Sequence, residues 1–193
     1  MNRKQTTQFL TDILIKQHFP IFTHYAQEVT LDYGTKHSCR IDIMRFEPKG
    51  STFASDIEKG VFTCYEIKSC KADVYSGNGL NFYGEYNYIV TTMKTYKELK
   101  EDIYNGKLND HVKSVMNVNE CPKFGFMVAV PSHLDMRKNS DMYEEYMKPT
   151  ELKGEVSDWK MWTIIPSYSA KRTKSITELL FCMLRAKCNQ VSR

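Results

Sequence analysis

Arg40-Ile41-Asp42-Ile43-Met44-Arg45-Phe46 and then Phe62-Thr63-Cys64-Tyr65-Glu66-Ile67-Lys68-Ser69 read as two strands, each dominated by apolar and β-branched residues. A strand sends alternate side chains to opposite faces. Glu66 and Lys68 therefore share a face, with Ile67 on the other. If the two strands are neighbours, Asp42 lies beside Glu66. Two carboxylates and an ammonium then converge at one point inside otherwise hydrophobic runs. Charges are seldom buried unless paired or bound to metal, so this interruption carries information.

Working outward, Phe9, Leu10, Ile13 and Leu14 fall at helical spacing, which predicts a helix over 7–19 that Pro20 stops. Gln27 to Asp32 reads as a first strand before a turn at Tyr33-Gly34. Glu47 to Gly60, with Pro48, Gly50, Ser51, Ser55 and Gly60, reads as a mobile loop. Val61 to Lys68 is apolar on both faces, as expected of a central strand. Ser69 to Asn87 is a broken helical stretch, interrupted by Gly77-Asn78-Gly79 and dense in aromatics. Tyr88 to Thr92 is a fourth strand. Thr95-x-x-Glu98 reads as a capping box opening a helix that ends near Asn105-Gly106. A further helix over 108–118, a strand over 124–130, a polar stretch over 132–157 and a strand over 159–165 follow. Ser175-x-x-Glu178 then opens an amphipathic closing helix. A meander followed by a crossover helix predicts an α/β fold, an αβββαβ core with a mixed central sheet flanked by helices.

A chain of 193 residues predicts a single domain. Its core is expected over about 7–131, with a polar insertion or flexible lobe over 132–157 and a closing strand and helix over 159–190. No apolar run reaches the ~20 residues that span a bilayer, and no secretion signal is visible, so no membrane partner is expected. The net charge of +4 is compatible with a polyanion and diagnostic of nothing. The cysteines, Cys39, Cys64, Cys70, Cys121, Cys182 and Cys188, include no Cys-x-x-Cys pair. A structural zinc site is therefore not expected, and reduced thiols in a cytoplasmic setting are. The histidines show no ligand spacing.

Phosphodiester hydrolysis requires offsetting the phosphate's charge, deprotonating a water and stabilising the leaving oxygen. Mg2+ or Mn2+ can serve all three needs. Magnesium takes oxygen ligands and keeps several waters, so one or two carboxylates plus a substrate phosphate suffice. Asp42 and Glu66 fit that role, with the backbone carbonyl of Ile67 as a third oxygen. Lys68 would orient water, stabilise charge at phosphorus, or act as a base if burial depresses its pKa.

The pattern resembles the PD-(D/E)XK nuclease superfamily, with its restriction-endonuclease-like fold. Within it, Glu66-Ile67-Lys68-Ser69-Cys70-Lys71-Ala72-Asp73 looks like the MmcB family of bacterial DNA-repair nucleases. Upstream, Glu28 and Arg40-Ile41-Asp42 match that family's glutamate and arginine-x-aspartate. The resemblance covers roughly 7–131 and 159–188. It implies metal-dependent cleavage of DNA that leaves a 5′-phosphate and a 3′-hydroxyl. It makes Asp42 and Glu66 metal ligands and Lys68 the catalytic lysine, in a bacterial or phage-type setting. Asp12 falls where many superfamily members carry a first-helix acid, and Glu28 at an acidic position of the first strand. Where the family often has aspartate before the fourth strand, this chain has Asn87. The glycine break at 77–79 also replaces a more regular helix.

Ser69 and Asp73 support Lys68 on this reading, or form a turn and helix cap. Lys71 and Lys94 would contact a nucleic acid backbone, or lie on solvated helix surface. Tyr75 would stack on a base, or pack in the core. A rival reading from another class is a catalytically inactive, nuclease-like module that binds nucleic acid or protein. Substrate shape and oligomeric state stay open, a homodimer included.

Overall fold

β3, Val61–Ile67, is buried at every residue after its first, as a central strand must be. It is the third of six strands in one sheet of order β1-β2-β3-β4-β5-β6, in a computed structural model that describes residues 1–21, 23–50 and 53–191, with backbone alone for 187–191. Ser51 of the expected loop and the side chain of Cys188 lie outside the described residues.

The strands are β1 His24–Leu31, β2 Cys39–Glu47, β3, β4 Tyr86–Thr92, β5 Gly125–Pro131 and β6 Trp159–Ile165. β1, β2 and β3 form an antiparallel meander. β3–β4 and β4–β5 are parallel, and β6 returns antiparallel to β5. The fold is thus α/β with a mixed sheet flanked by helices. Among the described residues, no helix is long and apolar enough to cross a membrane.

α1, Arg3–Ile13, continues through a π-helical turn, Leu14–His18, before Phe19 and Pro20. It packs Leu10, Ile13 and Leu14 on one sheet face against Ile43, Tyr65, Ile67 and Val90. The opposite face carries two clusters. α7, Ile176–Val191, covers Val29, Ile41, Met44, Phe62 and Cys64. α4, Met93–Tyr104, and α5, Lys107–Met116, cover Ile89, Phe126 and Val128. Glu66, two residues on from Cys64, points into the seam between these two clusters. The short helix α3, Lys71–Val74, and the turn after it close that seam.

Four expectations need correction. α1 starts at Arg3 rather than Thr7, because Asn2 and Gln5 form a capping box ahead of the apolar stripe. α4 is capped by Thr92, whose hydroxyl accepts the Thr95 N–H, so Thr95 lies inside the helix. The loop over 47–60 contains a short helix, α2, Ala54–Glu58. The stretch 132–157 is no flexible lobe. Its helix α6, Asn139–Met147, packs against α4, with Met136 buried and Leu134, Met142 and Tyr146 joining the core.

Candidate active site

Register decides the site. β2 and β3 pair from Glu47↔Val61 to Ile43↔Tyr65, and the next step would set Asp42 opposite Glu66. There the ladder ends. The Asp42 carboxylate takes over the rung, accepting the Ile67 N–H at 2.8 Å through Oδ2. The departure has a cause within the strands. Ile41 and Met44 both pack under α7 while Ile43 packs under α1, so the alternation slips once at Asp42. β1 slips at the same place, since Gln27↔Ile43 and Val29↔Ile41 put Glu28 opposite Asp42, and Glu28 adopts φ 53°. A left-handed non-glycine residue within a strand is uncommon and marks local strain.

Glu66 is wholly buried. Its Oε1 accepts the Asn81 N–H at 3.0 Å, while Oε2 has no hydrogen-bond partner. Lys68 Nζ lies 4.0 Å from that orphan oxygen and donates to the Asn78 carbonyl at 2.8 Å. The Lys68 backbone is fixed at both ends: its N–H donates to Val90 O at 2.9 Å and its carbonyl accepts the Thr91 hydroxyl at 2.6 Å. Gly79, at φ +76°, presses on the pair. A Cβ there would lie 2.5 Å from Lys68 Nζ and 2.6 Å from Glu66 Oε2. The glycine break seen in the sequence is therefore the cover of the site.

Burial pushes the Glu66 carboxyl up to about 8, and the neighbouring Asp42 charge pushes the same way. Asp42 is also raised, by burial first, against the opposing pull of the Ile67 N–H and the Lys68 charge. Two acids that resist ionising together mark a place that stabilises added positive charge.

Asp42, Ile67, Lys68 and Gly79 line a cleft of about 720 Å³ at the carboxyl end of β3, with Glu66 buried beneath Gly79 and Lys68. Asp73 lines it too. Its Oδ2 accepts the Ser69 N–H at 3.1 Å and the Ser69 hydroxyl at 3.0 Å, and its Oδ1 pairs with Arg3. The structure thus brings together Asp42, Glu66, Ile67, Lys68, Ser69 and Asp73. Glu28 stays at the rim, 58% exposed, with its carboxylate 3.5 Å from Arg40.

Other expected site residues lie elsewhere. Asp12 is on the flank of α1, taking a hydrogen bond from Gln8 and facing Lys16 at 3.7 Å, because the cleft face of α1 carries Arg3 and Thr7. Lys71 and Tyr75 turn to Asp102 of α4, at 2.7 and 2.9 Å, which fastens α3 to α4. Lys94 lines a separate hollow beside Thr6 and Glu98. Sequence reasoning missed Arg3 altogether. The Asn2-x-x-Gln5 capping box was the signal that placed it on a helix.

Among the described residues no three His, Cys, Asp or Glu side chains gather as a metal site, so Asp42 and Glu66 stand as a pair. A hard cation that keeps its waters needs no more than one or two carboxylates. The orphan Oε2 of Glu66 is the donor such a cation would use. No family model, no curated protein and no solved structure matches the chain.

Proposed function

We propose that this protein is a PD-(D/E)XK-type, metal-dependent nuclease that hydrolyses DNA phosphodiester bonds through Asp42, Glu66 and Lys68. One observation carries the reading: a fully buried carboxylate oxygen, Glu66 Oε2, lacks any partner and has an ammonium 4.0 Å away and a second carboxylate on the adjoining strand. A buried polar atom left without a partner costs about 1–3 kcal/mol in general, so its persistence calls for a ligand.

Asp42 and Glu66 would hold Mg2+ or Mn2+, with the Ile67 carbonyl as a further oxygen. When bound, the ion supplies Lewis-acid and charge-offsetting chemistry toward a phosphate. Lys68 keeps its ammonium fixed beside the ligand pair, where negative charge grows as water adds to phosphorus. Its pinned backbone lets it act without reorganising, which is where electrostatic stabilisation is strongest. Ser69 and Asp73 hold the turn that follows Lys68.

The test is a cleavage screen across single-stranded, duplex, flap and junction DNA with Mn2+ or Mg2+. Wild type should cut at least one substrate, and chelator should stop it. Lys68→Met, which keeps the side chain's bulk, should fold and lose about 10²–10³-fold in rate.

A second reading rests on the Lys68–Asn78 bond. The lysine fastens the glycine turn over the acids, as it would in a binding module that keeps the fold without the chemistry. On that reading wild type and Lys68→Met bind DNA alike and neither cuts any substrate.

A further inference from the structure

We propose that Arg3 and Arg40 bind the backbone phosphates on either side of the one that is cut, so that one nucleic acid strand lies along the cleft from α1 to β2. This rests on the nuclease reading and adds the residues that hold the substrate.

Charge balance comes first. Asp42 and Asp73 border the cleft, and their carboxylates would repel a polyanion. Its cations, among the described lining residues, are Arg3, Arg40 and Lys68. Lys68 is 4% exposed and already engaged with Asn78. The side chains of Arg3 and Arg40 are 62% and 58% exposed. Contact with phosphates outside the reacting centre therefore falls to these two.

Each arginine is paired with an acid. The Asp73 side chain is 9% exposed and fully engaged, one oxygen on Ser69 and the other on Arg3. Arg3 spends part of its five-donor fork there, and the remaining donors are free for a phosphate. On the other side, Glu28 takes its left-handed turn in mid-strand opposite Asp42, and its carboxylate sits 3.5 Å from Arg40. Such strain persists where the surroundings use it. Arg40 is two residues from Asp42 on β2, and Arg3 pairs with Asp73, five residues after Lys68, so both guanidiniums border the cleft that Asp42 and Lys68 line. A cleft of about 720 Å³ is in the range that encloses one drug-sized molecule.

The experiment measures binding of a fluorescein-labelled single-stranded oligodeoxynucleotide by anisotropy, in EDTA so that nothing is cut, from 50 to 200 mM salt. Arg40→Ala and the double variant Arg3→Ala/Asp73→Asn, which leaves neither partner unpaired, should each bind about 5–20-fold more weakly. Each should also lower the slope of log affinity against log salt by about 0.7, the value for one phosphate contact on a single strand. Arg3→Lys should restore the slope. Lys4→Ala, exposed on the same helix turn and outside the cleft lining, should change neither quantity. With Mn2+, Arg40→Ala should raise KM by more than it lowers kcat, the signature of lost uniform binding. A purely structural role would move melting temperature and not the salt slope. If wild type binds and cuts while the cleft variants match it in affinity and slope, this proposal fails and the nuclease reading stands. If wild type neither binds nor cuts any DNA, the nuclease reading fails and takes this proposal with it.

Discussion

Lys68 Nζ stands 4.0 Å from Glu66 Oε2, an oxygen that has no hydrogen-bond partner. The two lie together under the Gly79 cover, with Glu66 pushed up to about 8 by its burial and by Asp42. This sets the pH dependence of stability. Between the ordinary carboxyl value of 4.5 and about 8, the folded protein holds a proton on Glu66 that the unfolded chain has released. Stability must then fall as pH rises through that window. The loss is on the order of a few kcal/mol. In chelator, the melting temperature of wild type should drop from pH 5 to pH 8.5. Glu66→Gln, which keeps an acceptor for the Asn81 N–H, should flatten the curve and melt higher at pH 8.5. Parallel curves for the two proteins would sink the assignment of the buried proton to Glu66.

Divalent ion should reverse that loss. A cation that binds the folded site and not the unfolded chain stabilises by about 2.7 kcal/mol at a hundredfold excess over its Kd. Mn2+ should therefore raise the wild-type melting temperature, more at pH 8 than at pH 5.5, where Glu66 must first give up its proton. Asp42→Asn and Glu66→Gln should each remove most of the shift. A Mn2+ shift of equal size in wild type and both variants would place the ion elsewhere.

Gly77 and Gly79 share φ +76°, yet their surroundings differ. A Cβ at Gly77 meets nothing within 4 Å, whereas at Gly79 it meets Lys68 and Glu66. Gly77→Ala should cost only the left-handed penalty, about 1–2 kcal/mol, and leave cleavage within a few-fold of wild type. Gly79→Ala carries the same penalty and displaces the Lys68 ammonium, so cleavage should fall at least about tenfold further, since a misplacement of about 1 Å can cost 10²-fold. Equal activities for the two variants would show that the cover does not position the lysine.

The period-two pattern made the central part of this site legible. Asp42, Glu66 and Lys68 came from alternation inside apolar runs, and β6 runs from Trp159 to Ile165 as its sequence suggests. The closing helix, too, opens with Ser175 capping Glu178, as its capping box predicts. What stayed hidden depends on tertiary packing. Asp12 and Arg3 both sit on α1, and only docking of that helix on the sheet decides which one reaches the cleft. Lys71 and Tyr75 follow directly after the motif, but Asp102 draws them off to α4. The glycine turn reads locally as a break, and only the structure shows that it lies on Glu66. For α6, the sequence suggests a short helical turn over 142–147, which the structure extends to Asn139–Met147. At α4, Thr92 and Thr95 both precede apolar residues, and the choice of cap was set by where β4 ends.

Asn87 gives a last test, because the resembled family often carries aspartate near this place. Here the residue is wholly buried. Its Oδ1 accepts the Gly84 N–H at 3.0 Å, while Nδ2 donates to Gly84 O at 3.0 Å and Lys123 O at 3.2 Å. The side chain ties the entry of β4 to the start of β5 and needs two donors to do so. Asn87→Asp would set a carboxylate against two carbonyls and leave both without a donor. The cost should be about 2–4 kcal/mol, or roughly 5–15 °C in melting temperature for a chain of this size. Burial and the facing carbonyls would raise the new acid's pKa above its unfolded value, so the deficit should shrink below about pH 4 and grow as pH rises. Metal-dependent cleavage measured well below the melting temperature should stay near wild type, since Asn87 is absent from the cleft lining. Unchanged stability in Asn87→Asp would mean that the amide's donors are dispensable; lost cleavage in a protein that still melts as wild type would mean that Asn87 serves the site.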